Sequence, residues 1–168
     1  MESRGYPSPM DWPEPVERVS TVLREAGAEA RVEEFAEGTP TAEDAANAVG
    51  CDLSQIVKSL VFDCDGHAVL VMVPGDRRAD KAKVAAAVGA EKARVAGAEL
   101  VVEATGYPPG GVAPFGLRAV ERVLIDKRLL GSGTLWVGAG SERHMAGLPA
   151  TELVRVARAQ QFDVTVDE

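Results

Sequence analysis

The sequence predicts a mixed α/β (α+β-like) domain, not a doubly wound parallel sheet. Helical and strand patterns are interleaved along the chain, and two strand patterns are joined by an Asp65-Gly66 turn of the hairpin type. The 168 residues are 46% hydrophobic, enough for one compact domain with its own core. Aromatic residues make up only 5%, so Ala, Val and Leu must fill most of the interior.

Residues 1–14 read as an irregular arm, because four prolines fall within the first fifteen positions. A single domain is expected over 15–168. From Pro15 to Ala26, the residues Val16, Val19, Val22, Leu23 and Ala26 share one helical face, and Gly27 stops the helix. "ARVEEF" is a short strand pattern. In "TPTAEDAANAVG", Thr41 and Asp44 have capping-box spacing and Gly50 ends the helix. Strands follow over roughly 56–63 and 67–74. A helix then runs from Asp80 to its stop at Gly89, and "GAELVVEATG" gives another that ends at Gly106. "YPPGGVAPFG" holds three prolines and three glycines in ten residues and is expected to lack regular structure. "ERVLID" and "TLWVGAG" read as strands, "LPATELVRVARAQ" as a helix with Pro149 near its first turn, and "FDVTV" as a last strand.

Composition narrows the function. Two cysteines, Cys51 and Cys64, without a CxxC, fit a reducing cytoplasm and not a disulfide scaffold. The opening residues lack the pattern of a signal peptide, and no apolar run approaches the roughly 20 residues of a membrane span. A net charge of −8 is unlike a nonspecific nucleic-acid binder, so any nucleic acid is expected to be gripped through a local patch. The densest basic cluster is Arg77, Arg78, Lys81 and Lys83, which is either a solvated face or a set of phosphate contacts. Cys64-x-x-His67 supplies too few ligands for zinc, so no metal is expected.

Lys58 is the unusual residue. Strand alternation puts it on one face with Ile56, Leu60 and Phe62, the larger apolar set. An inward ammonium must find a partner, lose its proton or reach water. Either it snorkels, or it lies at the wall of a pocket that binds a phosphate, a carbonyl oxygen or an oxyanion. The loop "TGYPPGGVAPFG", Thr105 to Gly116, supplies the second feature. Prolines stiffen it, and backbone N–H groups at Gly110, Gly111 and Val112 could bind an oxyanion or carbonyl. No Gly-Lys-Ser/Thr follows, so it is not a phosphate loop.

The order of "TAEDAANAVGCDLSQIVKSLVF", "AVLVMVPGDRRADKAKVAAAVGA", "TGYPPGGVAPFG", "VLIDKRLL", "LWVGAG" and "LPATELV" resembles the YbaK/ProX family. That family contains free-standing aminoacyl-tRNA deacylases and the editing domain of bacterial prolyl-tRNA synthetases. The resemblance spans about residues 16 to 158. It implies a mixed, largely antiparallel β-sheet curved into a partial barrel, with helices around it. It also implies hydrolysis of the ester of a mischarged tRNA, carrying a small amino acid of the alanine, cysteine, serine or threonine type, with tRNA-Pro a candidate carrier. Lys58 then lies in the substrate pocket, and the Gly110-x-x-x-Pro114 loop holds the aminoacyl carbonyl and the terminal adenosine. Several members of the family are believed to use a water and a ribose hydroxyl of the substrate, with no protein nucleophile and no cofactor.

The residues agree with a site that works by position and charge. There is no Gly-x-Ser-x-Gly elbow, and His67 and His144 have no obvious Ser or Cys partner. Lys58, Gly110 and Gly111 are the expected catalytic groups. Val112, Pro114, Phe115 and Gly116 are expected to bind substrate. Asp126 either caps the turn "KRLLG" or faces the pocket. His144 is either a surface histidine or an amino-acid contact, the latter by the resemblance. Phe35 is either core or pocket lining, and Thr41 either a helix cap or pocket lining. The expected partner is the acceptor end of an aminoacyl-tRNA, with a synthetase as a second candidate. The rival reading is a non-catalytic module that binds aminoacyl-tRNA or amino acid beside a synthetase.

Overall fold

The computed structural model describes residues 12–131 and 133–167. Most of the expected arm, residues 1–11, lies outside them. Among the described residues, five α-helices and eight strands follow in the order α1 (Glu14–Glu25), β1 (Arg31–Glu34), α2 (Ala42–Val49), β2 (Val57–Cys64), β3 (His67–Pro74), α3 (Lys81–Val88), β4 (Ala93–Val95), α4 (Ala98–Thr105), β5 (Arg122–Asp126), β6 (Thr134–Ser141), β7 (His144–Pro149), α5 (Ala150–Ala157) and β8 (Gln160–Phe162).

Helices α2, α3 and α4 end where the sequence places their caps. Thr41 Oγ1 accepts the Asp44 N–H at the start of α2, and Asp80 accepts the N–H groups of Ala82 and Lys83 at the start of α3. Gly50, Gly89 and Gly106 close α2, α3 and α4 in the left-handed conformation. The β2–β3 turn has positive φ at both Asp65 and Gly66, as a two-residue hairpin of matching twist requires.

The strands form two sheets. One has the order β1-β7-β6 and is antiparallel throughout. The other has the order β4-β2-β3-β5-β8, in which β3–β5 and β5–β8 are parallel. A parallel bridge between Ile56 and Trp136 joins the sheets, and among the described residues they do not close into a barrel. Two short strands, β4 and β7, were not predicted; the last strand, β8, shares only Phe162 with the expected "FDVTV", and α5 ends at Ala157, before the expected Gln160. The glycine-proline loop is more regular than expected, with one 3₁₀ turn over Pro109–Gly111.

The core lies on both faces of the larger sheet. Val57, Val61, Leu70, Met72 and Ile125 join the main cluster with α1, α4 and α5. Phe62, Cys64, Val69, Val71, Val73 and Leu124 face the other way and pack with Val84 and Val164. β2 is therefore buried on two sides, not on the single inward face expected for Lys58, Leu60 and Phe62.

Asp126 belongs to this scaffold and does not line the Lys58 cleft. It is fully buried, accepts Val164 N–H at 2.9 Å and Arg128 N–H at 3.1 Å, and pairs with the Arg128 guanidinium at 3.4 Å. Lys83 belongs here as well. Its ammonium reaches Asp163, Asp167 and the Thr165 carbonyl, so it is engaged by carboxylates and not offered to a phosphate. Both residues fasten the C-terminal segment to the sheet. Asp126→Ala leaves the Val164 N–H buried and unpaired, so it is expected to lower stability by about 2–4 kcal/mol. A urea titration measures this as a lower midpoint at unchanged slope.

Candidate active site

The cleft beside β2 has a volume of about 310 Å³. Its floor is apolar: Ala45 of α2, Ile56, and Met145 of β7 belong to a third hydrophobic cluster. Lys58 and Ser59 of β2 form one wall, and Pro109, Gly110 and Val112 form another. Gly138, Ser141 and His144 close it from the smaller sheet, and Thr39 to Ala42 border its mouth.

Two close approaches bring the loop to this position, and a third sets α1 against β6. A Cβ at Gly111 would lie 2.6 Å from the Ser141 backbone, and one at Gly138 would lie 2.4 Å from the Val112 carbonyl. A Cβ at Gly140 would meet the backbone of Pro15 and Val16 at 2.8 Å. Glycine at these positions lets main chain rest on main chain.

Lys58 is half-buried, and its ammonium donates to the Arg77 carbonyl at 2.6 Å. Burial holds its pKa below the ordinary lysine value; Asp76 and Glu43 act upward, Arg78 downward. The Gly111 N–H is not free for a ligand, because it donates to the Pro108 carbonyl at 2.9 Å. The Gly110 N–H precedes the first bond that the 3₁₀ turn makes, so the turn leaves it without a partner. Of the three expected backbone donors, Gly111 is thus engaged, while the Gly110 and Val112 N–H groups make no backbone hydrogen bond among the described residues.

His144 is buried and is not a surface residue. Its Nδ1 lies 2.6 Å from Ser141 Oγ, a partner that the sequence reading missed. Ser141 Oγ also accepts the Arg143 N–H at 3.0 Å, so the hydroxyl ties the imidazole to the β6–β7 turn. Nε2 has no hydrogen-bond partner among the described residues. The Trp12 ring stands edge-on at 5.5 Å. The signal that could have found the pair is Ser-x-x-His across a tight turn, where β6 and β7 shift register between Gly138 and Ser141.

The remaining expectations divide. Val112 and Thr41 line the cleft, and Thr41 is also the α2 cap. Phe35 packs against the floor cluster without lining the cleft. Pro114, Phe115 and Gly116 border a different hollow, beside β5 and α5. Arg78 and Lys81 are exposed on the segment that anchors Lys58, and Arg77 lends it the carbonyl. Among the described residues, no group of three His, Cys, Asp or Glu side chains could hold a metal ion. No described helix is long and apolar enough to cross a membrane.

Residues 36–156 match the profile of the aminoacyl-tRNA editing domain. The chain belongs to that family. The editing domain is 37% identical over 123 residues to the uncharacterized protein YwhH of Bacillus subtilis, covering 73% of this chain and 78% of that protein. It is 34% identical over 125 residues to a proline–tRNA ligase of Maridesulfovibrio salexigens, covering 74% of this chain. It spans 21% of that ligase's length. Among solved structures, a candidate trans-editing enzyme for prolyl tRNA synthetase superposes with a TM-score of 0.86 at 35% identity. The match covers 93% of this editing domain and 99% of that chain. The fold is therefore the YbaK-like one that the segment order implied.

Burial lowers the His144 pKa in the folded editing domain; Glu34 opposes the shift and Arg143 adds to it. A depressed histidine pKa means that the unfolded chain takes up its proton first as pH falls. Stability is full above about pH 6.5 and declines below it. His144→Gln is expected to flatten that decline between pH 7 and 5, read from urea midpoints at each pH.

Proposed function

We propose that this editing domain is a deacylase that hydrolyses the ester of a mischarged aminoacyl-tRNA in trans. The observation that carries the reading is the convergence of Lys58, the Gly110 N–H and the His144 edge on one small cleft. An aminoacyl ester is already activated, so positioning and charge suffice to accelerate its hydrolysis. In the proposed reaction, water adds to the acyl carbonyl, and negative charge develops on its oxygen. The Gly110 N–H and the Lys58 ammonium face that charge. The tetrahedral adduct then collapses, the ribose oxygen leaves with a proton, and the free amino acid departs.

Ser141 and His144 raise the question of a protein nucleophile. A serine–histidine pair acts as one when a third group orients the base. Among the described residues, no hydrogen-bonding group holds the other side of the His144 ring. We therefore assign the pair to shaping the cleft and the attack to water. The amino acid is of a size that a cleft of about 310 Å³ admits together with the end of the tRNA, which fits the small alanine, cysteine, serine and threonine class. Arg77, Arg78 and Lys81 lie on the segment that anchors Lys58 and are the proposed contacts to tRNA phosphate.

A panel of mischarged tRNAs incubated with the protein tests this. Release of amino acid from at least one is expected, and binding without turnover across the panel would favour a non-catalytic module. Lys58→Ala should slow hydrolysis by about 10²–10³, the cost typical of one lost oxyanion donor. Ser141→Ala should slow it by less than about tenfold; a loss as large as that of Lys58→Ala would restore the protein nucleophile. Removing Arg78 and Lys81 together should raise KM and reduce the slope of log affinity against log salt by about 1.4–1.8.

A further inference from the structure

Five consecutive residues, Ile56 to Leu60, line the cleft. Side chains of a strand alternate between its faces, so a hollow that meets every residue in turn meets the strand edge-on. Hydrogen bonds tell which groups stand on that edge. The Ile56 carbonyl accepts from Gly75 N–H at 2.7 Å, on the β3 side, and the Val61 carbonyl accepts from Ala96 N–H at 2.9 Å, on the opposite side. The β2–β3 register runs without a shift from Val57 to Cys64. Alternate residues of an antiparallel strand bond to opposite sides, so the N–H and C=O of Ser59 point away from β3.

Little covers that side. β4 pairs with β2 only over Phe62 to Cys64, and β6 touches it at the Ile56–Trp136 bridge. Between these contacts, the main chain of Ser59 is an open sheet edge that borders the cleft. Ser59 Oγ is also buried without a hydrogen-bond partner among the described residues. Unpaired buried polar groups in a native protein need an explanation, and a bound ligand is one.

We infer that the Ser59 main chain holds the aminoacyl group of the substrate as a one-residue β-bridge. Its C=O accepts from the substrate's α-ammonium, and its N–H donates to the acyl carbonyl oxygen. An α-amino acid ester carries a donor and an acceptor on either side of one Cα, as a strand residue does, so it can exchange both bonds with one residue of an open edge. The inference rests on the reading that the cleft takes an aminoacyl ester, and it assigns the group that reads that ester's α-amino group. It also places a second backbone N–H, besides that of Gly110, at the carbonyl oxygen. The rival holder of the ammonium is Glu142, whose carboxylate lies beside Gly110 at the mouth.

The test uses adenosine analogues that carry an amide in place of the ester. Alanine, serine, threonine and cysteine are each joined to 3′-amino-3′-deoxyadenosine, and each is compared by calorimetry with its counterpart lacking the α-amino group. For the tightest of the four, removing that group should weaken binding at least fivefold, both in the wild-type protein and in Glu142→Gln. Hydrogen exchange at the Ser59 amide should slow on binding. A loss below fivefold, discrimination that vanishes in Glu142→Gln, an unchanged Ser59 amide, or no binding of any of the four would overturn the inference. The panel of mischarged tRNAs reports separately. Discriminating binding without any hydrolysis would sink the deacylase and leave the bridge standing, and hydrolysis without discrimination would do the reverse.

Discussion

Main chain resting on main chain along β6 is the constraint on which the site depends. Gly138 is paired with Met145 of β7, and the Val112 carbonyl rests so closely on it that a Cβ would stand 2.4 Å away. One residue earlier in the loop, Gly111 sits on Ser141 with the same lack of room. These approaches fix the 3₁₀ turn between two sheets that are bridged at Ile56 and Trp136. The cleft is the space left where the sheets diverge. Its walls are consequently backbone edges, and backbone edges carry hydrogen-bonding groups that no side-chain rotation can withdraw.

Local signals made much of the fold legible. Thr41, Asp80, Gly50, Gly89 and Gly106 each act within one turn of their helix, so their meaning does not depend on the rest of the chain. The hairpin turn at Asp65-Gly66 was readable for the same reason. β7 was not: "HMAGLP" has no β-branched residue and no alternation, and it is a strand because β1 and β6 flank it and Gly147 lies under the Trp136 ring. β4 pairs over only three residues, too few for any pattern to register.

The site was legible in its residues and less so in its bonds. Strand alternation singled out Lys58, and stiffness singled out the loop. Neither could show that Gly111 spends its N–H inside the turn, or that the Arg77 carbonyl holds the lysine. Asp126 illustrates the ambiguity of a carboxylate in sequence. At the end of an apolar strand it fits a cap and a pocket equally well, and only the position of Val164 decides for the scaffold. Lys83 lies in a basic run, yet its charge is spent on acidic residues about eighty positions away in the chain. His144 could be read either as a surface residue or as a pocket residue, because its partner Ser141 is joined to it by a register shift that sequence does not display.

The Arg77 carbonyl changes what Lys58 can do. A lysine side chain free in water has about 2 kcal/mol of rotamer entropy to lose before it can aid a reaction. Here one of the three ammonium protons is already committed to a fixed carbonyl, so much of that ordering takes place on folding and not on substrate binding. Two donors remain for a developing oxyanion. Burial works against the charge, while Asp76 and Glu43 work for it, and the half-exposed position lets solvent moderate both. A fully buried ammonium would tend to neutrality, and a fully exposed one would be screened and mobile. At the edge of the cleft and tied by a single carbonyl, Lys58 is placed as the proposed reaction asks, with its ammonium held in one position before substrate arrives.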